Sequence, residues 1–353
     1  MNHRAGSPQV SSAQHSPASH ACAPHAPPTP HTSASLSPAQ RVRIARERID
    51  GILLLDKTSG LSSNHAMQAA RRLFAAAKAG HGGTLDPMAG GLLPLMFGEA
   101  TKFAADLLDA DKTYEAELTL GETSTTADAE GEISRQPGLI PDADAMAVVL
   151  RGFVGRIRQL PPMHSALKHA GRPLYEYARA GQVIDREPRE VEIKAIEMLG
   201  LEGSRLRLRV LCSKGTYIRT LAQDIGAIAG CGAWLSSLRR VAVGELRIAQ
   251  AVGLDELQSL TPEQRRTTLL PIDALLSSLE QLELDAETAG RFMHGQRIRW
   301  RATGTDLEAR RVAVRGPGGL LGLAHLDDGL LTPVRLIAQT SLPASPAGVA
   351  THV

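Results

Sequence analysis

Apolar positions along the chain fall into short windows with either a period of two or helical spacing. Gly51-Ile-Leu-Leu-Leu55 is an unbroken apolar run, the pattern of a strand buried on both faces. From Lys112 the residues Thr-Tyr-Glu-Ala-Glu-Leu-Thr-Leu alternate, which sets Tyr114, Ala116, Leu118 and Leu120 on one face of a strand. Ser204-Arg-Leu-Arg-Leu-Arg-Val210 alternates as well, with Leu206, Leu208 and Val210 inward and Arg205, Arg207 and Arg209 outward. After Ser62-Ser63, the spacing of Ala66, Ala69, Ala70, Leu73 and Ala77 predicts a capped amphipathic helix that stops at Gly80. Ile218, Leu221, Ala222 and Ile225 predict a second helix within residues 216–229. Between them, His81 to Gly91 is too rich in glycine for regular structure and reads as a loop. Strands and helices mix without a regular βαβ repeat, so the expected class is α+β.

Residues 1–40 carry seven prolines and five histidines among Ser and Ala, with almost no large apolar side chains, and read as a disordered tail. Arg41, Arg43, Arg46 and Arg48 follow as a short basic arm or helix. The main body is expected over residues 49–255, a linker with Pro262 and Pro271 over 256–284, a small β-rich domain over 285–340, and a flexible tail over 341–353. The 353 residues suffice for two cores.

The net charge is only +2, but it is segregated. Arg151 to Arg189 holds eight basic and three acidic residues, and Arg291 to Arg315 holds seven Arg against Asp306 and Glu308. Glu99 to Asp144 is the reverse, with twelve acidic and three basic residues. A near-neutral body can therefore still present basic faces to phosphate, and Arg297, Arg299 and Arg301 are the expected contacts. The longest uncharged apolar stretch, Met88 to Gly98, has eleven residues broken by glycines and a proline, too short for a membrane span. Cys22, Cys212 and Cys231 lie far apart and form no C-x-x-C pair, which argues against a disulfide framework or zinc site. Neither a secretory nor an organellar targeting pattern stands out, so the expected compartment is the cytoplasm.

Asp86 is the candidate for chemistry. It precedes Pro87 in the glycine-rich loop, so its backbone is extended or turned, and glycines on both sides allow a large substrate to come close. His81-Gly-Gly-Thr-Leu-Asp86-Pro-Met-Ala-Gly-Gly91, continuing to Gly98-Glu-Ala-Thr-Lys102, resembles the catalytic motif of the TruB family of tRNA pseudouridine synthases. Four more matches keep the family order: Gly51 to Lys57, Asp111-Lys-Thr-Tyr114, Cys212-Ser-Lys-Gly-Thr-Tyr217-Ile-Arg219, and Ser236-Ser-Leu238-Arg-Arg240. The resemblance covers about residues 49–252. It implies a pseudouridine synthase fold with a mixed, largely antiparallel central sheet, and a C-terminal β-rich domain similar to the RNA-binding PUA fold.

The resemblance also implies roles. Asp86 would be the nucleophile and Arg219 its charge partner. Tyr114 would stack on the flipped base, Tyr217 would contact the uridine from the other side, and Leu238 would line the pocket. His81 would sit beside the target nucleotide, and Lys57 would belong to the substrate site. The implied reaction turns the T-loop uridine at position 55 of tRNA into pseudouridine, with the T-arm stem-loop as partner; no protein partner is implied, and a monomer is the default expectation. Exchanging an N-glycosidic for a C-glycosidic bond on one ring involves no net oxidation, so no cofactor is expected. The chain also has no G-x-x-x-x-G-K-[ST] and no strand-linked G-x-G-x-x-G. What the chemistry needs is a carboxylate kept ionised in a dry pocket, which a nearby guanidinium favours. Everting a base costs about a few kcal/mol, and stacking on an aromatic ring returns about 1 to 3.

Three positions depart from the family pattern. Gly82 stands where Thr is usual, Gly90 where Thr or Ser is common, and His164 where an aromatic residue is typical. The two glycines predict a looser loop. Two readings from other classes compete: an RNA-folding module, and a hydrolase using Asp86. The latter lacks a paired carboxylate or Ser-His constellation near the loop.

Overall fold

The computed structural model describes residues 46–300 and 308–338. The two expected tails, and Arg41, Arg43 and Arg301, lie outside them. The larger sheet contains, in chain order, β1 (Gly51–Lys57), β2 (Ala79–His81), β3 (Gly90–Phe97), β4 (Lys112–Leu120), β5 (Gly155–Gln159), β6 (Arg189–Glu202), β7 (Arg205–Cys212) and β8 (Ala233–Val243). Four helices bear on the site: α1 (Ser63–Leu73), α2 (Ala104–Asp109), α3 (Leu174–Arg179) and α4 (Ile218–Ile228).

In space the strands run β1, β3, β8, β4, β7, β6, β5, with Val252–Gly253 on the outer edge of β1 and β2 on β3. Only the β3–β8 and β1–Val252 pairings are parallel. The sheet is thus mixed and largely antiparallel, as the resemblance implies, and strands and helices mix as the α+β reading expects. β1 and β3 are buried almost throughout, which is why both are nearly continuous apolar runs. In β4 and β7 the alternation holds: Ala116, Leu118, Leu206, Leu208 and Val210 enter the core. Arg205, Arg207 and Arg209 face outward, where antiparallel register sets Arg209 opposite Glu115 and Glu197. Arg209 bonds both, at 2.9 and 3.0 Å, and Arg205 pairs with Glu117. Exposed pairs of this kind contribute only about 0 to 1 kcal/mol each, but they neutralise what the sequence presents as a basic row.

Helix α1 ends at Leu73, not at Gly80 as its apolar spacing predicts. Ser62 caps it, accepting a hydrogen bond from the His65 N–H. At the other end Ala75 turns into the left-handed region (φ 49°), the Ala76 N–H returns to the Arg71 carbonyl, and the Arg71 guanidinium bonds the Ala76 and Ala77 carbonyls. The chain must leave the helix there because residues 79–81 pair with β3.

The second sheet has five strands in the order Glu280–Glu283, Arg310–Gly316, Gly319–Asp327, Leu330–Leu336 and Ile298–Arg299. It closes a separate core with Phe292, Val312, Val314, Leu326 and Leu331. Its contact with the larger body centres on residues 98–109. Phe103 packs with Ala313 and Leu323, Arg311 pairs with Asp106, and Lys102 Nζ donates to the Leu336 carbonyl at 2.8 Å. Among the described residues no helix is long and apolar enough to cross a membrane.

Candidate active site

The site forms where β8 runs between β3 and β4. Register sets Arg240 of β8 beside Gly91 on one side and opposite Tyr114 on the other, with Leu238 opposite Ala116. The close approach requires glycine. Gly91 has φ +100°, and a Cβ there would lie 2.3 Å from the Arg240 carbonyl oxygen.

The loop between β2 and β3 carries Asp86 and is tied down on several sides. Ser63 Oγ donates to the Leu85 carbonyl (2.9 Å) and accepts from the Leu85 N–H (2.8 Å). The Pro87 carbonyl accepts from the Gly60 N–H (2.8 Å) and from Lys57 Nζ (3.4 Å). The buried Arg240 donates from Nε to the Leu92 carbonyl and from Nη2 to the Gly83 carbonyl. Gly82 and Gly90 do not loosen this loop; they let it pack. A Cβ on Gly82 would meet Leu107 of α2 at 2.7 Å, and one on Gly90 would come 3.2 Å from the Lys57 carbonyl oxygen.

Arg219 is the second residue of α4 and points its guanidinium at the loop. Nη2 lies 2.9 Å from Asp86 Oδ2 and 2.6 Å from the His164 carbonyl, and Nη1 lies 3.5 Å from Asp128 Oδ2. Asp128 is itself fixed, its Oδ1 accepting from Thr126 Oγ1 (2.5 Å) and the Glu130 N–H (3.0 Å). The side chains of Arg219 and Asp128 are 4% and 5% exposed, whereas Asp86 is 37% exposed. The guanidinium is therefore a buried, immobile charge, and the carboxylate it steadies is the one a ligand can reach. Two hydrogen bonds to the buried Gln159 side chain, from the Tyr217 N–H and to the Tyr217 carbonyl, fix the chain just before α4.

Asp86, Arg219, Tyr114, Tyr217 and Leu238 line one cleft of about 240 Å³. Burial pushes the Tyr114 and Tyr217 phenols up, so both stay neutral donors at physiological pH. Lys112 and Arg240 also line the cleft. Lys112 Nζ caps the end of α2 through the Leu107, Leu108 and Ala110 carbonyls, and burial pushes its ammonium down to about 8. Two expected site residues stand outside the lining. Lys57 is fully buried behind the loop, bonded to the Thr58, Leu61 and Pro87 carbonyls and pushed down to about 8, chiefly by burial. His81 ends β2, with a buried Nδ1 that has no partner and a ring whose proton affinity is lowered by burial and by Arg240. Arg297 and Arg299 are exposed and form no ion pair with a described residue.

Sequence reasoning did not find Asp128, Ser63 or the clamping role of Arg240. Asp128 sits in an acidic stretch that reads as solvated surface, and only its burial sets it apart. Arg240 had a local signal, a second basic residue on a strand whose neighbours are apolar.

Comparison with known proteins agrees with this geometry. Residues 71–218 match the TruB family pseudouridylate synthase N-terminal domain, 219–281 the tRNA pseudouridylate synthase B C-terminal domain, and 281–337 the C-terminal domain of pseudouridine synthase II TruB. The tRNA pseudouridine synthase B of Cupriavidus taiwanensis is 54% identical over 303 residues, covering 84% of this chain and 96% of its own. That of Burkholderia mallei is 52% identical over 305 residues, covering 84% and 97%. Among solved structures, an archaeal box H/ACA sRNP Nop10-Cbf5 complex contains a chain of the same fold at 22% identity, TM-score 0.61, covering 81% of this chain and 86% of that one. A Cbf5-Nop10-Gar1 complex matches at 25% identity and TM-score 0.61, covering 81% and 84%. This chain belongs to the TruB family of pseudouridylate synthases.

Proposed function

We propose that this enzyme converts the T-loop uridine at position 55 of tRNA into pseudouridine, with Asp86 as the nucleophile. The observation that carries the reading is the 2.9 Å contact between the accessible Asp86 carboxylate and the buried Arg219, in a cleft walled by two tyrosines. The tRNA substrate is supported by the curated relatives, each named tRNA pseudouridine synthase B.

The reaction breaks the N1–C1′ bond and joins C5 to C1′, after which C5 loses a proton and N1 gains one. Atoms and electrons balance within the nucleotide, so the enzyme has to supply a nucleophile, a binding surface for the detached base, and exclusion of water. Asp86 supplies the first. Tyr114 and Tyr217 hold the ring, each stacked base returning about 1 to 3 kcal/mol of the eversion cost. Leu238 fills the wall beside it. Arg219 aims the carboxylate through its 2.9 Å contact, an interaction worth more in a dry cleft than in water. His81, outside the lining, is read as sitting beside the target nucleotide, and Lys57 serves by holding the Pro87 carbonyl.

In the same reading residues 49–255 are the catalytic body, 256–284 a linker, and 285–340 a PUA-like unit in which Arg297 and Arg299 contact phosphate. The enzyme acts as a cytoplasmic monomer on the T-arm. The test is incubation of the purified protein with an unmodified T-arm stem-loop, followed by nucleoside analysis. Pseudouridine at the loop uridine is the expected product; an RNA with uridine intact at that position overturns the assignment.

A further inference from the structure

Arg240 of β8 and Lys112 of β4 both border the cleft, and both are held by neutral groups alone. Arg240, 1% exposed, donates to the Leu92 and Gly83 carbonyls at 2.8 and 3.1 Å, and Lys112, 7% exposed, donates to the three carbonyls that end α2. Among the described residues neither forms an ion pair. Asp86 and Asp128 are taken up by Arg219 at 2.9 and 3.5 Å, and Asp109 and Asp111, the acids that act on Lys112, pair with Lys214 and Lys194. A buried cation without a counter-charge has lost its hydration with no compensating attraction, which a fold normally avoids. These cations also oppose one another. Burial first, and Arg240 after it, lower the proton affinities of Lys112, Lys57 and His81, and both lysines, at about 8, still carry charge at neutral pH. Arg240 is thus the centre of a surplus of positive charge at the cleft, and it stands opposite Tyr114 in the register of β8 and β4.

A uracil ring supplies the complementary charge only while it reacts. If the Asp86 carboxylate attacks C1′, the N1–C1′ electron pair leaves with the base and spreads over N1, O2 and O4. If it attacks C6, the C5–C6 π pair moves onto C5 and O4. Either way the ring is an anion between a neutral substrate and a neutral product, and the charge returns to Asp86 once C5 has bonded C1′ and the carboxylate leaves; C5 then loses its proton and N1 gains one. We propose that Arg240, backed by Lys112, stabilises the negative charge that develops on the uracil ring, acting through the field of the cleft and not by contact. Burial suits both side chains to this, because it shields their charge from solvent screening and no donor has to be open to the ligand. The position of Arg240 opposite Tyr114, the ring given to stacking on the base, favours this over a charge reserved for a backbone phosphate. The inference rests on the proposed function, because it takes the occupant of the cleft to be a uracil ring.

The test compares single-turnover conversion of the target nucleoside by wild type, Arg240→Gln and Arg240→Lys, on T-arm stem-loops that carry uridine or 5-fluorouridine at that position. Fluorine makes a negative charge on the ring more stable by itself, so the enzyme's charge matters less. Arg240→Gln is expected to be slower on uridine by about 10- to 100-fold, and by about threefold less than that on 5-fluorouridine, with Kd for the RNA within about threefold of wild type. Arg240→Lys, which keeps the charge, is expected to recover most of the loss. Equal losses on the two RNAs overturn the inference, since a displaced loop slows both alike. So does a rate for Arg240→Gln within about twofold of wild type, or a loss as large in Arg240→Lys. A raised Kd with a flattened salt dependence assigns the charge to a phosphate and overturns it too. If Arg240→Gln does not fold, Lys112→Gln, which keeps a donor for the α2 carbonyls, undergoes the same comparison. Wild type keeps the two claims apart: if it forms no pseudouridine the proposed function fails, and if the charge-removing variant matches it only the role of Arg240 and Lys112 fails.

Discussion

Gly82→Thr restores the residue usual in this family and, in this chain, is expected to be destabilising. The built Cβ falls 2.7 Å from both Cβ and Cδ1 of Leu107 and 3.3 Å from its Cγ. Ordinary contact begins near 3.4 Å, so the pair is about 0.7 Å too close, and the methyl and hydroxyl of Thr add more bulk. Relief is restricted on both sides. The Gly82 N–H is bonded to the Pro94 carbonyl of β3, and the Leu107 carbonyl is held by Lys112 Nζ at 3.0 Å. Overpacking of this kind costs about 1 to 3 kcal/mol, which for a protein of this size lowers Tm by about 1 to 5 °C. Leu107→Ala alone opens a cavity at about 2 to 5 kcal/mol. In the double variant the Thr occupies the space that Leu107 leaves, so the combined loss is expected to be about 1 to 2 kcal/mol less than the sum. Urea unfolding of the four proteins measures this directly. Additivity within about 0.5 kcal/mol, or a Gly82→Thr protein as stable as wild type, refutes the idea that α2 fills the place of the missing side chain.

Three further outcomes follow from the same geometry. Asp128→Asn removes the buried charge opposite Asp86 and frees Arg219 to shift; kcat on the T-arm is expected to fall by about 10²-fold with little change in RNA affinity, and a kcat within twofold of wild type contradicts this. Replacing Arg297 and Arg299 together by Ala should weaken tRNA binding and flatten its dependence on salt by about two phosphate contacts, whereas an unchanged slope removes them from the RNA interface. Lys57 and Lys112 have proton affinities lowered to about 8 in the folded protein against 10.5 unfolded, so above pH 8 the folded state binds fewer protons than the unfolded one and stability rises with pH. Cys212, raised from 9.0 to about 12, works in the opposite sense above pH 9, so the rise is expected between pH 8 and 9, and urea stability that falls over that interval contradicts it.

Much of the fold was legible because burial leaves a period in the sequence. The two-residue alternation of Leu206, Leu208 and Val210 marked a half-buried strand, and the apolar run from Gly51 marked a fully buried one. Ser62 as a cap was legible for a local reason, since its acceptor role spans three residues. The end of α1 was not: Ala77 fits the helical spacing, and only the pairing of residues 79–81 with β3 draws the chain away at Leu73. The neutral face of β7 was likewise hidden, because the partners of Arg209 lie on two other strands. In the site, the ordered motifs identified Asp86, Tyr114, Tyr217, Arg219 and Leu238 together, and the structure gathers all five in one cleft. Asp128 and Ser63 depend on distances across the fold, and nothing in their local sequence distinguishes them from surface polar residues.

Asp86→Asn leaves the shape of the side chain and its hydrogen bond to Arg219 largely in place while removing the nucleophilic charge. The decisive measurement is pseudouridine per molecule of T-arm RNA, by mass spectrometry, for wild type and this variant, beside the Kd of each for the same RNA. Pseudouridine absent from the variant, with Kd within about threefold of wild type, is the result expected of a nucleophile. Pseudouridine accumulating at close to the wild-type rate contradicts the central role given to this carboxylate.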